Sequence, residues 1–232
     1  MDNVAIECLS CKPLLHMDML EAIRRGNADI IYAAPEGVLI KEKYSGAYML
    51  SETDEALGRK LLDSLDKPGL LAVHQESLKD YAYSCFGYKE VIECFQAVYT
   101  RRERPEVANK VQIRRPSKEE LLIIKKNYNK ISDKEFYRIN ELGNLYAGIS
   151  NGEMIGFVGS QLEGTMGLLE VLPQYRRQGY GSQLEKHMIC IMLDKGYVPF
   201  AQIESYNESS LAMQKKLGLQ ISKGKLYWLI NM

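Results

Sequence analysis

The chain has 232 residues, 46% of them hydrophobic, enough to bury a sizeable core in one large domain or two small ones. Thirty Lys and Arg balance thirty Asp and Glu, which excludes a global field drawing the molecule to nucleic acid or an anionic membrane, so any positive site must be local. No long apolar run occurs, Met1-Asp2-Asn3-Val4 lacks a secretory layout, and five scattered cysteines read as reduced thiols, so the expectation is a soluble cytoplasmic protein with neither a nucleic-acid nor a membrane partner.

Cys8-Leu9-Ser10-Cys11 with His16 offers three metal ligands where a closed zinc site needs four, and no metal is expected. Tyr48-Met49-Leu50 leads into a helix over 56–65 through Ser51-Glu52-Thr53-Asp54-Glu55, a turn whose carboxylates would repel a phosphate. Glu76–Phe86 reads as a helix stopped at Gly87, with a strand over Ile92–Tyr99 behind it. His74 and His187 have no serine, cysteine or carboxylate at a triad spacing, and His187 reads as a bystander on a helix. Arg101-Arg102-Glu103-Arg104-Pro105-Glu106 interrupts the apolar pattern as a linker or exposed crossover would, dividing the chain into 1–104 and 105–232.

Beyond that boundary Val111–Arg114 alternates like a strand, and Ser117 with Glu120 has the spacing of a capping box for a helix to Asn127. Strands over Leu145–Ile149 and Met154–Gln161 flank Ser150-Asn151-Gly152, whose Asn-Gly pair takes the positive φ of a tight hairpin turn. A strand over Gly167–Leu172 then runs through Pro173-Gln174-Tyr175 into Arg176-Arg177-Gln178-Gly179-Tyr180-Gly181. A helix over Ser182–Lys195, a strand over Val198–Ile203, a helix capped by Asn207 and ended by Gly218, and a strand over Leu226–Ile230 complete the half. The fold class is mixed α/β. Cys85-Phe86-Gly87-Tyr88 parallels Lys216-Leu217-Gly218-Leu219, so the two halves read as related, with only the second keeping an anion site.

At a helix start the first N–H groups lack intrahelical partners and the macrodipole is positive, so an anion can be held by backbone alone. Gly179 and Gly181 allow close approach, and Arg176 and Arg177 add permanent charge. The glycines lack the G-x-G-x-x-G spacing of dinucleotide folds and no G-K-[ST] follows, which argues against NAD and ATP.

Leu169–Gly181 resembles the acetyl-CoA-binding strand and loop of the GNAT N-acetyltransferase superfamily, with [QR]-x-x-G-x-[GA] matched in full. Asn207-Glu208-Ser209-Ser210 through Lys216-Leu217-Gly218-Leu219 resembles that family's N-x-x-[AS]…K-x-G-[FL] helix. The resemblance covers roughly 111–232, and the two-half layout is similar to glycine N-acyltransferase-like members, with 1–104 as a degenerate GNAT-like half and 105–232 as the acyltransferase domain. It implies an N-acetyltransferase, with acetyl-CoA as cosubstrate and a small-molecule or peptide amine as acceptor; a homodimer is compatible with it. Coenzyme binding carries over to Arg176, Arg177, Gln178, Gly179, Tyr180, Gly181 and Ser182, to the backbone of Leu169 and Val171, and to Asn207, which can equally be a plain helix cap.

For the base, Glu204 and Glu170 are the candidates, and either can be a solvated strand carboxylate. Many family members carry a tyrosine acid seven residues after the helix asparagine; here that position is Gln214, and Tyr206 is the candidate substitute. Gln214 keeps open the alternative of a non-catalytic acyl-CoA-binding or regulatory module.

Overall fold

Local turn chemistry sets many of the element boundaries in the computed structural model, which describes residues 1–108 and 110–231. The chain forms two compact units: Met1–Val98 with Gln202–Lys215 and Leu219–Met232, and Tyr99–Ala201 with Lys216–Gly218.

The first unit contains α1 (Asp2–Leu9), α2 (Met17–Arg24), β1 (Ala28–Ala34), β2 (Gly37–Glu42), β3 (Tyr48–Glu52), α3 (Glu55–Asp63), β4 (Leu70–Val73), α4 (Glu76–Phe86) and β5 (Glu90–Val98). Strand β11 (Gln220–Ile230) joins them, in the order β1-β2-β3-β4-β11-β5. Only β3 and β4 run parallel; the other pairs in this series are antiparallel. Strand alternation divides the core. Val38, Ile40, Met49, Ala72, Cys94, Leu226 and Trp228 pack with residues of α1 and α2, while Leu39, Leu50, Leu71, Val73 and Leu229 pack with α3 and α4. The sequence division at 104/105 therefore does not coincide with the compact units: β11 pairs with both β4 and β5, setting Trp228 opposite Ala72 and Ile92.

Several first-unit elements, α1, α2, β1, β2 and β4, lie outside the sequence expectations. In α2 the reason is visible, because its buried residues include Asp18 and Glu21 beside Met19, Leu20 and Ala22, which breaks an apolar periodicity.

The second unit contains β6 (Gln112–Arg114), α5 (Lys118–Asn127), α6 (Asp133–Glu141), β7 (Leu145–Ser150), β8 (Glu153–Ser160), β9 (Met166–Val171) and α7 (Tyr180–Asp194). Strand β10 (Phe200–Glu204) begins in this unit and α8 (Glu208–Lys216) follows it. The order is β10-β9-β8-β7-β6, with β9 and β10 parallel and the other pairs antiparallel. Ser117 and Glu120 form the expected capping box on α5. Asn151 at φ 51° and Gly152 at φ 81° make the β7–β8 turn. Helix α6 is additional; Ser132 caps it by accepting from the Glu135 N–H at 3.2 Å.

The segment expected to be a linker lies instead along α7. The Ala108 N–H donates to Gln183 at 2.9 Å, Lys186 donates to the Glu106 carbonyl at 2.8 Å, and the His187 ring reaches the Val111 carbonyl at 2.9 Å. The Cys190 thiol lies 3.9 Å from the Pro105 carbonyl, and Arg104 pairs with Asp194. Residues 183, 186, 187, 190 and 194 share one helix face, so residues 104–108 run antiparallel to α7 as far as Gln183, and Val111 turns back to His187. His187 is thus a structural anchor and not a bystander.

On the sheet side Leu184 of α7 sits over Gly148 and Gly156, and a Cβ on Gly156 would meet the Glu170 carbonyl, the Val171 Cα at 3.1 Å and Leu184 at 3.1 Å. This close approach fixes α7 against β8 and β9. Gly156→Ala is expected to cost roughly 1–3 kcal/mol by overpacking. Denaturant unfolding checks it, and an unchanged midpoint would contradict the close packing.

Candidate functional site

Strand β9 delivers the chain to the turn. The Leu172 N–H donates to the Ile155 carbonyl at 2.9 Å, so by alternation the N–H and C=O of Val171 face away from β8. Between the pairs Phe157/Glu170 and Gly159/Gly167 the strand β9 carries one extra residue, a bulge at which Leu168 takes φ 49°. Leu169 follows directly. The register of β9 with β10 is the single pair Met166/Ala201, which leaves the β9 backbone beyond it outside that parallel ladder.

Pro173–Tyr175 make one 3-10 turn, Arg176 is extended, Arg177 takes φ 63° and Gly179 takes φ 82° at the cap position of α7. A left-handed arginine costs about 1–2 kcal/mol. The Gln183 N–H bonds to the Gly179 carbonyl at 3.4 Å, and the N–H groups of Tyr180, Gly181 and Ser182 precede the helical ladder. No side chain caps this end and its first turn contains no acid. The positive end of a 15-residue helix is therefore not neutralised by a carboxylate of its own first turn.

The two arginines differ. Arg176 donates through Nε to the Val171 carbonyl at 3.0 Å and pairs with the Glu170 carboxylate at 2.8 Å. Arg177 is exposed. Gln178 donates to the Gln174 carbonyl at 3.4 Å. The Tyr180 hydroxyl meets the Ser150 hydroxyl at 3.3 Å, its ring stacks edge-on with Tyr175 at 6.3 Å, and Lys110 Nζ lies 5.6 Å from its centroid. The structure thus brings Glu170, Val171 and Arg176 into one cluster. Sequence reasoning missed Lys110 and Ser150, since neither has a local motif.

The remaining predicted residues lie in the first unit. Tyr206, 78% exposed, donates its hydroxyl proton to the Glu204 carboxylate. The Asn207 side-chain oxygen accepts from the Ser210 N–H at 3.1 Å and from the Ser209 hydroxyl at 3.0 Å, so it caps α8. Gln214 is buried.

The corresponding series β3-α3-β4-α4 in the first half shows why one turn is open and the other closed. Asp54 caps α3, accepting from the N–H groups of Ala56 at 2.9 Å and Leu57 at 3.3 Å, and Glu55 adds a second carboxylate. Strands β3 and β4 pair at three positions, and the His74 N–H extends the ladder to the Leu50 carbonyl at 3.2 Å.

A buried polar cluster closes that end. The His74 Nε2 meets the Asp18 carboxylate at 3.1 and 3.2 Å, supplying a carboxylate partner 56 residues away in sequence where local spacing shows none. His16 Nδ1 faces the Leu9 carbonyl at 3.0 Å, so Nδ1 carries the proton and Nε2 accepts from the Ser51 hydroxyl at 2.8 Å. The two rings meet edge-on at 5.2 Å. Burial, reinforced by the neighbouring His74, lowers the His16 pKa to about 4. Burial also disfavours charge on His74, but Asp18 outweighs it and the His74 pKa is raised.

Residues 142–229 match the model of the FR47-like protein family. Comparison with curated proteins finds no match. Among solved structures, a Drosophila protein aligns over 100% of this chain and 97% of its own at 15% identity and a TM-score of 0.67. A GCN5-related N-acetyltransferase-like protein from Streptococcus suis aligns over 98% and 100% at 13% identity and a TM-score of 0.58. A tandem GNAT protein from the clavulanic acid biosynthesis pathway aligns over 98% and 94% at 11% identity and a TM-score of 0.50. Residues 142–229 are thus similar to the FR47-like family, and the mixed α/β chain shares its fold with solved GNAT structures, a tandem one among them. No helix among the described residues is long and apolar enough to cross a membrane.

The buried cluster generates a pH prediction. A folded-state histidine pKa below the unfolded value means that the unfolded chain binds the proton first, so stability falls as pH drops from about 6.5 toward 4. The raised His74 pKa acts oppositely, which a variant removes from the comparison. Relative to His16→Gln, wild-type stability is expected to fall by roughly 3 kcal/mol between pH 7.5 and 4. Parallel pH–stability curves would contradict the burial of a neutral His16.

Proposed function

We propose that this chain is an N-acyltransferase that uses an acyl-coenzyme A, with acetyl-CoA the simplest donor, and a small-molecule or peptide amine as acceptor. The observation that carries the reading is the uncapped, acid-free N-terminus of α7, with Gly179 left-handed before it and Arg177 exposed beside it. Such a turn suits a diphosphate, because three backbone N–H groups and a guanidinium can converge on it without a competing carboxylate in the first turn. The backbone of Leu169 and the N–H of Val171, whose carbonyl Arg176 engages, suit an extended, amide-bearing arm, since β9 beyond Met166 lies outside the ladder with β10. Gln178, Tyr180, Gly181 and Ser182 complete the turn.

In the proposed reaction the amine nitrogen attacks the thioester carbon, the new C–N bond forms and the C–S bond breaks. We assign the amine proton to Glu204 and the protonation of the departing thiolate to Tyr206 or solvent. The hydrogen bond between these two side chains supports a shared proton-transfer role. Glu170 we assign to holding Arg176, because their ion pair engages the carboxylate. Asn207 is assigned to capping α8.

Incubation with acetyl-CoA and a panel of amines tests the reading by release of free thiol. Glu204→Gln is expected to lower kcat about 100-fold or more with coenzyme A affinity retained. Thiol release unaffected by that substitution would remove Glu204 from the mechanism. Coenzyme A binding with no thiol release for any acceptor would favour the non-catalytic module.

A further inference from the structure

Residues 104–108, 110 and 111 lie along α7 in a direction that has a chemical consequence. This strap is pinned at the far end of α7 by Arg104 to Asp194, then Pro105, Glu106 and Ala108 meet Cys190, Lys186 and Gln183 in turn, so it approaches the helix N-terminus before Val111 turns back to His187. Lys110 is the residue it delivers there, with Nζ 5.6 Å from the Tyr180 ring centroid. That ring is itself oriented by the Ser150 hydroxyl and by Tyr175.

The charges at the turn give this placement its meaning. Of the two arginines in the motif, Arg176 is paired with Glu170 and bonded to the Val171 carbonyl, leaving Arg177 as the exposed cation of the motif. A diphosphate carries two negative charges, and a coenzyme A adds a further phosphate on its ribose. Lys110 is exposed, is supplied from outside the motif, and stands at the ring of the first residue of α7. An ammonium on a flexible stem can leave an aromatic face for a phosphate oxygen at little cost, whereas Arg176 would have to abandon a carboxylate.

We propose that Lys110 is a second cationic binding residue for a phosphate of the coenzyme, partnering Arg177 in the role that the motif alone would give to Arg176. The strap is its positioning device: anchoring along α7 sets where Lys110 stands relative to the turn. This rests on the reading of the turn as a coenzyme A site, and the test separates the two.

The full-length chain and its variants Lys110→Ala and Lys110→Arg are titrated by calorimetry with coenzyme A, with dephospho-coenzyme A, which lacks the ribose 3′-phosphate, and with pantetheine, which lacks every phosphate. Lys110→Ala is expected to weaken coenzyme A about tenfold, with the loss shrinking at high salt, and Lys110→Arg is expected to recover most of the affinity. Pantetheine affinity should not change. If the loss persists with dephospho-coenzyme A the partner is the diphosphate; if it disappears the partner is the ribose phosphate, and either result supports the assignment. A Lys110→Ala chain that binds coenzyme A as tightly as wild type overturns the inference alone. A wild-type chain that binds no coenzyme A overturns the reading beneath it as well.

Discussion

The positive end of α7 is the constraint around which the second unit is arranged. A helix of 15 residues exposes several unpaired N–H groups at its start, and most proteins satisfy such groups with a capping side chain. Here Gly179, in a left-handed conformation, occupies the cap position and offers no side-chain acceptor. Everything nearby keeps that end in place: Leu184 seated over two glycines, the strap along the opposite flank, and the bulged strand that feeds the turn. In the proposed reading a phosphate of the coenzyme satisfies these donors.

The first half shows the same order of elements with the opposite electrostatics. Asp54 caps the start of α3 with Glu55 beside it, β3 and β4 stay paired as far as Leu50, Val73 and His74, and Asp18, His16, Ser51 and His74 occupy the adjoining interior. Isolated buried ionisable groups are costly, so their mutual hydrogen bonding is what makes the arrangement stable. Its role is structural, since Ser51 and His16 are both buried and their hydrogen bonds are directed inward.

Much of the second unit was legible because its signals are local. The capping box of Ser117 and Glu120, the Asn151-Gly152 turn, and the stops at Gly196 and Gly218 each specify a backbone conformation over four residues or fewer, and the structure has them. Ser132 followed by Glu135 is the same kind of signal and marks α6, though that helix buries only Phe136 and Ile139 among mostly polar residues. Residues whose roles depend on distant partners were not legible. His74 needs Asp18 from another helix, His187 needs the Val111 carbonyl, and Lys110 reaches Tyr180 only because a charged, proline-containing segment that reads as a linker is bound along a helix. The candidate site divides in the same way: the turn geometry followed from sequence, whereas the engagement of Arg176 by Glu170 required coordinates.

The central claim is that an anionic coenzyme binds on the backbone N–H groups at the start of α7. Backbone amide NMR of the labelled chain titrated with coenzyme A tests it most directly. The account predicts saturable shifts concentrated on Gly179, Tyr180, Gly181 and Ser182, with the N–H groups of Ala56 and Leu57 at the capped start of α3 unmoved. Absence of shifts at the α7 turn, or shifts of equal size at the start of α3, would contradict it.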